Sequence, residues 1–553
     1  MKIAIVGAGV SGLSLAYYLH KYSKENIEIV VYEQADRVGG NALTQQLDLS
    51  PLGRPDTWVD MGVNDFNINT YKAMLELWEE IGLLQDKYVG TLVNEASFFY
   101  YGATPEETYG FKIDNKGAIS VHNLDSDIQD KIQQGFPDFE KFLKQWYTEN
   151  ENNPSAFKIT VEQFIHKYFT DIKYQPFVEL ALLPRINAMF FTYEESPVGR
   201  PPVLDMPMWL VAHYYILQEG LASDLDRDRP DKDKERKFFN QGSQKWLEFL
   251  AEKLTEECQI NIHLGIDGIK VCRHGLGALV YYNYEEFSYY DKVVFCTPAY
   301  QVERITDSRT FTSSKLLQKT KEFRYVPCVV YANYDSSQVP PPDFISAYNV
   351  GIYDYHNYAL NSDRVAWPDW VKFDGMFKPY HMTYSANKHQ PQSSEENPKQ
   401  DFEDFYVTVN PLNMSSKEFQ DHILLQKNGQ VARATFLHCK FTPEALEAQR
   451  YIQLNQIGNS NPPQDKGELY DVSRPSTFYL SGNYCNGAGL HTECILFSKD
   501  LAQAILDPKF VSKNFYDHEG ITGRHPVPAY IREVLGLRVT VAIDVTIGES
   551  YYR

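Results

Sequence analysis

The chain has 553 residues, 43% of them hydrophobic and 14% aromatic, with a formal net charge of −20. That composition excludes wholesale disorder, and the length exceeds what one hydrophobic core serves, so two intimately joined domains are expected. The acidic balance excludes a nucleic-acid partner and a lasting hold on an anionic membrane, since both need clustered Lys and Arg.

In chain order, Met1-Lys2-Ile3-Ala4-Ile5-Val6 runs straight into glycines, with neither a signal peptide nor about 20 apolar residues for a membrane span. A cytoplasmic protein with no integral membrane segment is expected. Residues 3–6 are an apolar run suited to a buried parallel strand. Gly7, Gly9 and Gly12 follow as G-x-G-x-x-G, and Leu13, Ala16 and Leu19 then recur at helical spacing. Each glycine answers a separate demand: a tight turn, a close backbone approach to a pyrophosphate, and helix-on-strand packing. Ser11 lies within this loop, and the helix N-terminus adds free N–H groups and a positive dipole end.

A second strand over 27–32 ends at Glu33, about 20 residues after the last glycine, where a carboxylate meets ribose hydroxyls. Gln34 and the loop Arg37-Val38-Gly39-Gly40-Asn41 come next. The whole run, residues 33–40, resembles the extended FAD fingerprint of the flavin amine oxidase and phytoene desaturase superfamily. That resemblance implies bound FAD, with Arg37, Gly40 and Asn41 closing over the pyrophosphate. Val59-Asp60-Met61-Gly62-Val63-Asn64 resembles the next family segment, which passes close to the flavin and puts Gly62 and Asn64 beside it.

Residues 71–81, 136–146 and 161–168 carry helical patterns. Arg185 stands in an otherwise apolar stretch, where it pairs with a substrate carboxylate or with a nearby acid. Residues 224–237 alternate acid and base and read as a solvated loop. Residues 260–269 resemble the family strand whose backbone meets adenine, at Ile266. Residues 279–282 and 292–296 are further strands, the second closed by Thr297-Pro298 as in the superfamily. Residues 325–334 and 405–409 are aromatic-rich strands suited to a sheet floor, with Tyr384 and Asn387 facing either pocket or core. The polar run 390–400 is a loop, and Thr442-Pro443 reads as a helix cap with proline in the first turn.

Residues 477–483 form a strand ending at Gly482, and a helix opens near Gly489-Leu490-His491. This resembles the segment that sets a helix N-terminus beneath the pyrimidine edge of the flavin, through Gly482, Asn483, Leu490 and His491. Asn483 stands where many relatives carry an acid. His491 is either a contact of the flavin or substrate, hence a catalytic candidate alongside Arg185, or a helix cap. The seven cysteines form no Cys-x-x-Cys pair, so no zinc ribbon follows, and free thiols suit a reducing compartment. Cys485 follows the strand, where the linking cysteine of amine oxidases precedes it, so the FAD is expected to be non-covalent. No metal-ligand spacing, Ser/His/Asp set or second G-x-G-x-x-G appears.

The fold class is therefore α/β. A discontinuous Rossmann-type FAD domain (1–69, 241–300, 471–510) is interleaved with a substrate domain made of a helical cap (70–240) and a mixed sheet (301–470). Residues 511–553 form an extension matching no motif. A closer resemblance, through 184–209, Gly242-Ser243-Gln244, Thr383-Tyr384, 407–411 and 441–446, is to a bacterial branch of NAD/FAD-binding proteins associated with unsaturated or cyclopropane fatty acids. Residues 497–501 also resemble the polyunsaturated fatty acid isomerase of the same superfamily. The implied function is FAD-dependent oxidation, desaturation or double-bond isomerisation of a small apolar substrate. The partners are that substrate and, at most, a second copy in a homodimer. The alternatives are an amine or amino-acid oxidase, or a lipid carrier without flavin chemistry, as the Rab GDP-dissociation inhibitors are on this architecture.

Overall fold

The computed structural model describes residues 1–68, 70–85, 88–93, 95–101, 108–114, 116–150, 153, 155–190, 202–215, 236–353, 380–390, 405–411, 416–457, 476–507, 509–510 and 512. The acid–base run at 224–235, the polar run from 391 to 400 and the C-terminal extension apart from Ser512 lie outside the described residues.

The expected first strand, β1 (Lys2–Val6), is the centre of a five-stranded parallel sheet. It pairs on one side with β2 (Glu28–Tyr32), reached through helix α1 (Val10–Tyr22), and on the other with Lys292–Phe295. Asn261–His263 extends the sheet beyond β2, and Phe478–Leu480 extends it on the far edge. Ile3, Ala4 and Ile5 have no exposed surface, as an apolar run covered on both faces requires. Because successive strands add to opposite sides of β1, a crevice opens beyond its carboxyl end, where doubly wound sheets hold their ligands. The helix His491–Leu506 packs along α1, and Ser498 Oγ donates to the Ser11 carbonyl at 3.0 Å.

The second domain is built on an eight-stranded sheet, in the order Arg433–Lys440, Arg324–Asn333, Tyr406–Val409, Tyr380–Ser385, Tyr348–Tyr353, Ala96–Tyr101, Tyr109–Ile113, Ile119–His122. All neighbours are antiparallel except Tyr348–Tyr353 with Ala96–Tyr101. The segment 70–240 was expected to be helical; it also supplies the last three of those strands. The helices follow. Ser126–Asn150 buries Ile132, Phe139, Leu143 and Trp146, which share one helical face, and Val161–Tyr168 starts on a capping box between Thr160 and Gln163. Thr442 caps Pro443–Gln456 as its sequence indicated, accepting from the Ala445 N–H.

An aromatic knot centres on Trp78. Trp78 packs against Phe66 and Phe239 with ring centroids 5.1 Å apart in each case, and against Trp246 at 5.8 Å. These rings bring together the loop after residue 60, the strand Arg236–Phe239 and the helix Ser243–Glu256. Edge-to-face pairs of this kind add to the burial energy of each ring.

Candidate functional site

The glycine loop divides by what a Cβ would meet. At Gly12 it would lie 1.9 Å from the Gly7 carbonyl oxygen, and at Gly7, which has φ +112°, 2.7 Å from the Cys296 carbonyl oxygen. The fold itself therefore demands those two glycines. Gly9 differs: its φ is −79°, and a Cβ would approach only the Gly40 Cα at 3.8 Å. Among the described residues no atom crowds that position, which leaves room for a pyrophosphate to lie against the backbone. Thr297 Oγ1, buried at the end of Lys292–Phe295, has no hydrogen-bond partner among the described residues. A polar ligand above the carboxyl ends of these strands fits both observations.

Glu33 sits at the end of β2, where its carboxylate accepts from the Ala8 N–H at 2.7 Å and the Ala35 N–H at 2.9 Å. Those bonds fix the side chain and leave lone pairs on both oxygens. Gln34 is exposed beside it. The Ile266 N–H is taken by the Glu33 carbonyl at 3.0 Å, which leaves its carbonyl as the backbone group to meet an adenine.

Arg37 organises the loop expected to close over the pyrophosphate. Its guanidinium donates to the carbonyls of Val38, Gly40 and Ala42 at 3.2, 2.8 and 3.1 Å, while the Gly39 N–H donates to Ala8 at 2.9 Å. Gly40 (φ +58°) thus lies over Gly9, and Asn41 is exposed at the loop tip. Gly62 is required by a close approach, since a Cβ there would lie 2.0 Å from the Asn41 carbonyl oxygen. Asp60 then ties the segments together, accepting from Thr44 Oγ1 at 2.6 Å, from the Ser243 N–H at 2.8 Å and from Gln390 Nε2 at 2.9 Å. Burial outweighs these donors and pushes its carboxyl up to about 6.

At the C-terminal end, Gly482 is closed in by the Thr297 carbonyl, which a Cβ would approach to 2.7 Å, and Asn483 begins the turn that leads to the last helix. Leu490 is the N-cap and His491 the first helical residue. His491 is buried, its ring edge-on to Trp246 at 5.5 Å, and burial pushes it down to about 4, so it is neutral at physiological pH. Sequence reasoning missed Glu493, two residues on. Its carboxylate accepts from the Leu490 N–H at 3.0 Å and meets His213 Nε2 at 2.8 Å, joining the helical cap to this helix start through a fully buried pair. Arg185 lies in the cap, its guanidinium 5.9 Å from the Phe136 ring centroid and 5.4 Å from that of Tyr215.

A second cluster was also unseen in sequence. Immediately after Asn64, Asp65 receives Arg236 Nε at 2.8 Å and the Tyr348 hydroxyl at 2.8 Å. Burial alone would raise this carboxyl, but Arg236 and the hydrogen bonds hold it below its usual range. Tyr348 and Tyr384 are directly opposed across two strands, ring centroids 5.5 Å apart. His389 stands edge-on to Tyr348 at 4.7 Å and tilted to Tyr384 at 4.9 Å. Gln390 donates to Asp60 and to the Asn64 carbonyl at 2.8 Å, which pins this group to the loop that follows the glycines. Arg236 and Lys237 close the acid–base run 224–237 that the sequence presents as a solvated loop, whereas both belong to the strand Arg236–Phe239 and turn inward.

Comparison with known proteins agrees with this geometry. Residues 10–349 match the family model of flavin containing amine oxidoreductases. A stretch of 51 residues is 43% identical to protoporphyrinogen oxidase of Dictyostelium discoideum, covering 8% of this chain and 10% of that protein. Another of 90 residues is 33% identical to coproporphyrinogen III oxidase of Staphylococcus aureus (strain NCTC 8325 / PS 47), covering 16% and 17%. The chain thus aligns with less than a fifth of the length of either curated relative. In overall fold it is similar to a CLA-producing fatty acid isomerase from P. acnes, with TM-score 0.54, 14% identity and coverage of 91% of this chain and 97% of that one. It is also similar to putrescine oxidase bound to putrescine, with TM-score 0.52, 13% identity and coverage of 91% and 99%. No helix among the described residues is long and apolar enough to cross a membrane. With more than half of its length matched by the family model, the chain belongs to the flavin containing amine oxidoreductase family, whose cofactor is FAD.

Proposed function

We propose that this protein is an FAD-dependent oxidoreductase acting on a small, elongated, apolar substrate such as an unsaturated fatty acid, by oxidation, desaturation or double-bond isomerisation. The observation that carries the enzyme reading is the unexplained glycine at position 9. A lipid carrier freed from its cofactor has no need of that space, nor of an Arg37 spent entirely on shaping the loop above it.

Gly7, Gly9, Ser11 and Gly12 would hold the pyrophosphate at the N-terminus of α1, with Arg37, Gly40 and Asn41 above it. Glu33 and Gln34 would meet the ribose, and the Ile266 carbonyl the adenine. Gly62 and Asn64 would run beside the flavin ring. Gly482, Asn483, Leu490 and His491 would present a helix start to its pyrimidine edge, where N–H groups favour negative charge. Bound there, FAD supplies the two-electron redox chemistry, and the side chains supply position and dryness.

The substrate class rests on Tyr348, Tyr384 and His389 standing against the Asn64–Asp65 loop. An ammonium needs an anion, and Asp65 is already closed by Arg236. An apolar chain needs only the rings, gaining about 0.8 kcal/mol per buried CH₂. Anaerobic addition of unsaturated fatty acids to the holoprotein should bleach or shift the flavin spectrum, and simple alkylamines should not. Rapid anaerobic reduction by an amine or amino acid, with fatty acids inert, would replace this substrate class by that of an amine or amino-acid oxidase.

A further inference from the structure

His389 is 2% exposed, and its Nε2 has no hydrogen-bond partner among the described residues. Ser385 Oγ, one helical turn earlier at the N-cap of Ala386–His389, is likewise buried and unpartnered. A buried polar group left unpaired costs stability, so native proteins keep few of them and those few call for an explanation. The neighbours of His389 do not supply one. Tyr348 gives its hydroxyl to Asp65, and Arg236 also closes on Asp65. Both tyrosines face the imidazole with their rings. The group nevertheless stands beside the segment that this family runs along its flavin, pinned there by the bonds from Gln390 to Asp60 and Asn64.

Resting on the reading of this region as an apolar substrate site, we propose that His389 Nε2 is the handle that hydrogen-bonds one uncharged polar group of the substrate: a hydroxyl, a carbonyl or a protonated acid. The charge around it decides between classes. Asp65 and Arg236 cancel, Tyr348 and Tyr384 are held as phenols by burial, and His389 is itself kept neutral by burial. A carboxylate or ammonium would enter with no counter-charge to meet it, which a buried site penalises heavily. A neutral hydroxyl satisfies the orphaned nitrogen and leaves its chain among the rings.

The test is a titration of decanol, decanoic acid and decylamine into the holoprotein, read by perturbation of the flavin absorption and by calorimetry. Three proteins are compared: wild type, His389→Phe, which keeps an aromatic ring and removes the nitrogen, and His389→Gln, which restores a donor and acceptor. Flavin content confirms that each variant folds. Decanol should bind wild type more tightly than decylamine, and His389→Phe should weaken decanol about five- to tenfold, the loss of one hydrogen bond. His389→Gln should recover part of that loss. Decanoic acid should bind as the acid, losing about tenfold per pH unit above its own pKa. If His389→Phe binds decanol as wild type does, while octanol remains weaker than decanol in both, this inference fails and the apolar site stands. Decylamine bound more tightly than decanol overturns it as well. Wild type indifferent to all three chains overturns the apolar site, and this inference falls with it.

Discussion

Replacing Gly9 by alanine should separate the cofactor from the fold. The backbone there (φ −79°, ψ −172°) is open to any residue, and the new methyl would meet only the Gly40 Cα at 3.8 Å, an ordinary contact. The apoprotein should therefore lose nothing. Gly→Ala at a compatible position stabilises by about 0.4–1 kcal/mol, because the unfolded chain has less freedom to give up. FAD is another matter, since the methyl stands where the pyrophosphate must approach the backbone. A ligand present at 100 times its Kd stabilises the native state by about 2.7 kcal/mol, so wild type should gain that much on reconstitution and the variant almost none. Thermal unfolding of both proteins, with and without FAD, measures the two effects separately, and absorbance gives the occupancy. Gly12→Ala is the contrasting control: its methyl would lie 1.9 Å from the Gly7 carbonyl oxygen, so apoprotein stability should fall too. Full flavin occupancy in Gly9→Ala, with an undiminished gain from FAD, would refute the reasoning.

Cys485 is buried, and no cysteine stands at the family's linking position, so acid or heat should release yellow cofactor into the supernatant; colour retained by the precipitate would contradict this. Glu493→Ala should cost about 3–5 kcal/mol in chemical denaturation, because it strands His213 in a buried site and uncaps the last helix. A loss below about 1 kcal/mol would show that the pair does not join cap and helix as described. Asp60 is raised to about 6 from an ordinary value near 4, so the native state binds its proton more tightly than the unfolded chain does. Its contribution is greatest below about pH 4, falls as pH rises towards 6, and is level above. The difference in stability between wild type and Asp60→Asn should follow that curve, and a difference that grows with pH would reverse the assignment.

The part of this protein legible in its sequence is the part whose constraints are local. Gly7, Gly9, Gly12, Glu33 and Arg37 act on one another within a single crossover, so spacing alone conveys the geometry. Thr160 with Gln163, and Thr442 with Pro443, announce their helix starts because a cap is settled within one turn. The strand Ala96–Tyr101 was hidden by the opposite circumstance, although Tyr109–Ile113 and Ile119–His122, also unread, pair locally as successive hairpins. Ala96–Tyr101 pairs in parallel with Tyr348–Tyr353, a partner some 250 residues away, so its neighbours in sequence show only helical patterns. The rings of Phe136 and Tyr215 beside Arg185 likewise come from segments far apart in sequence.

The same asymmetry divides the site itself. A cofactor is constant across a family, and backbone atoms recognise most of it, so its binding leaves glycines at fixed intervals. The proposed substrate half is drawn from side chains on four separated segments: Asn64 with Asp65, Arg236, Tyr348, and Tyr384 with His389 and Gln390. None of these positions constrains its sequence neighbours, and an unpaired imidazole looks in sequence like any buried histidine. The physical mark of such a site is energetic: a buried polar group that the fold leaves unsatisfied. Among the described residues Thr297 at the proposed cofactor crevice and His389 beside the proposed substrate region carry that mark, as do others such as Tyr18, Gln45, Ser385 and Tyr484. A ligand that satisfies Thr297 or His389 gains more than the contact alone, because it also relieves a cost that the empty fold already carries.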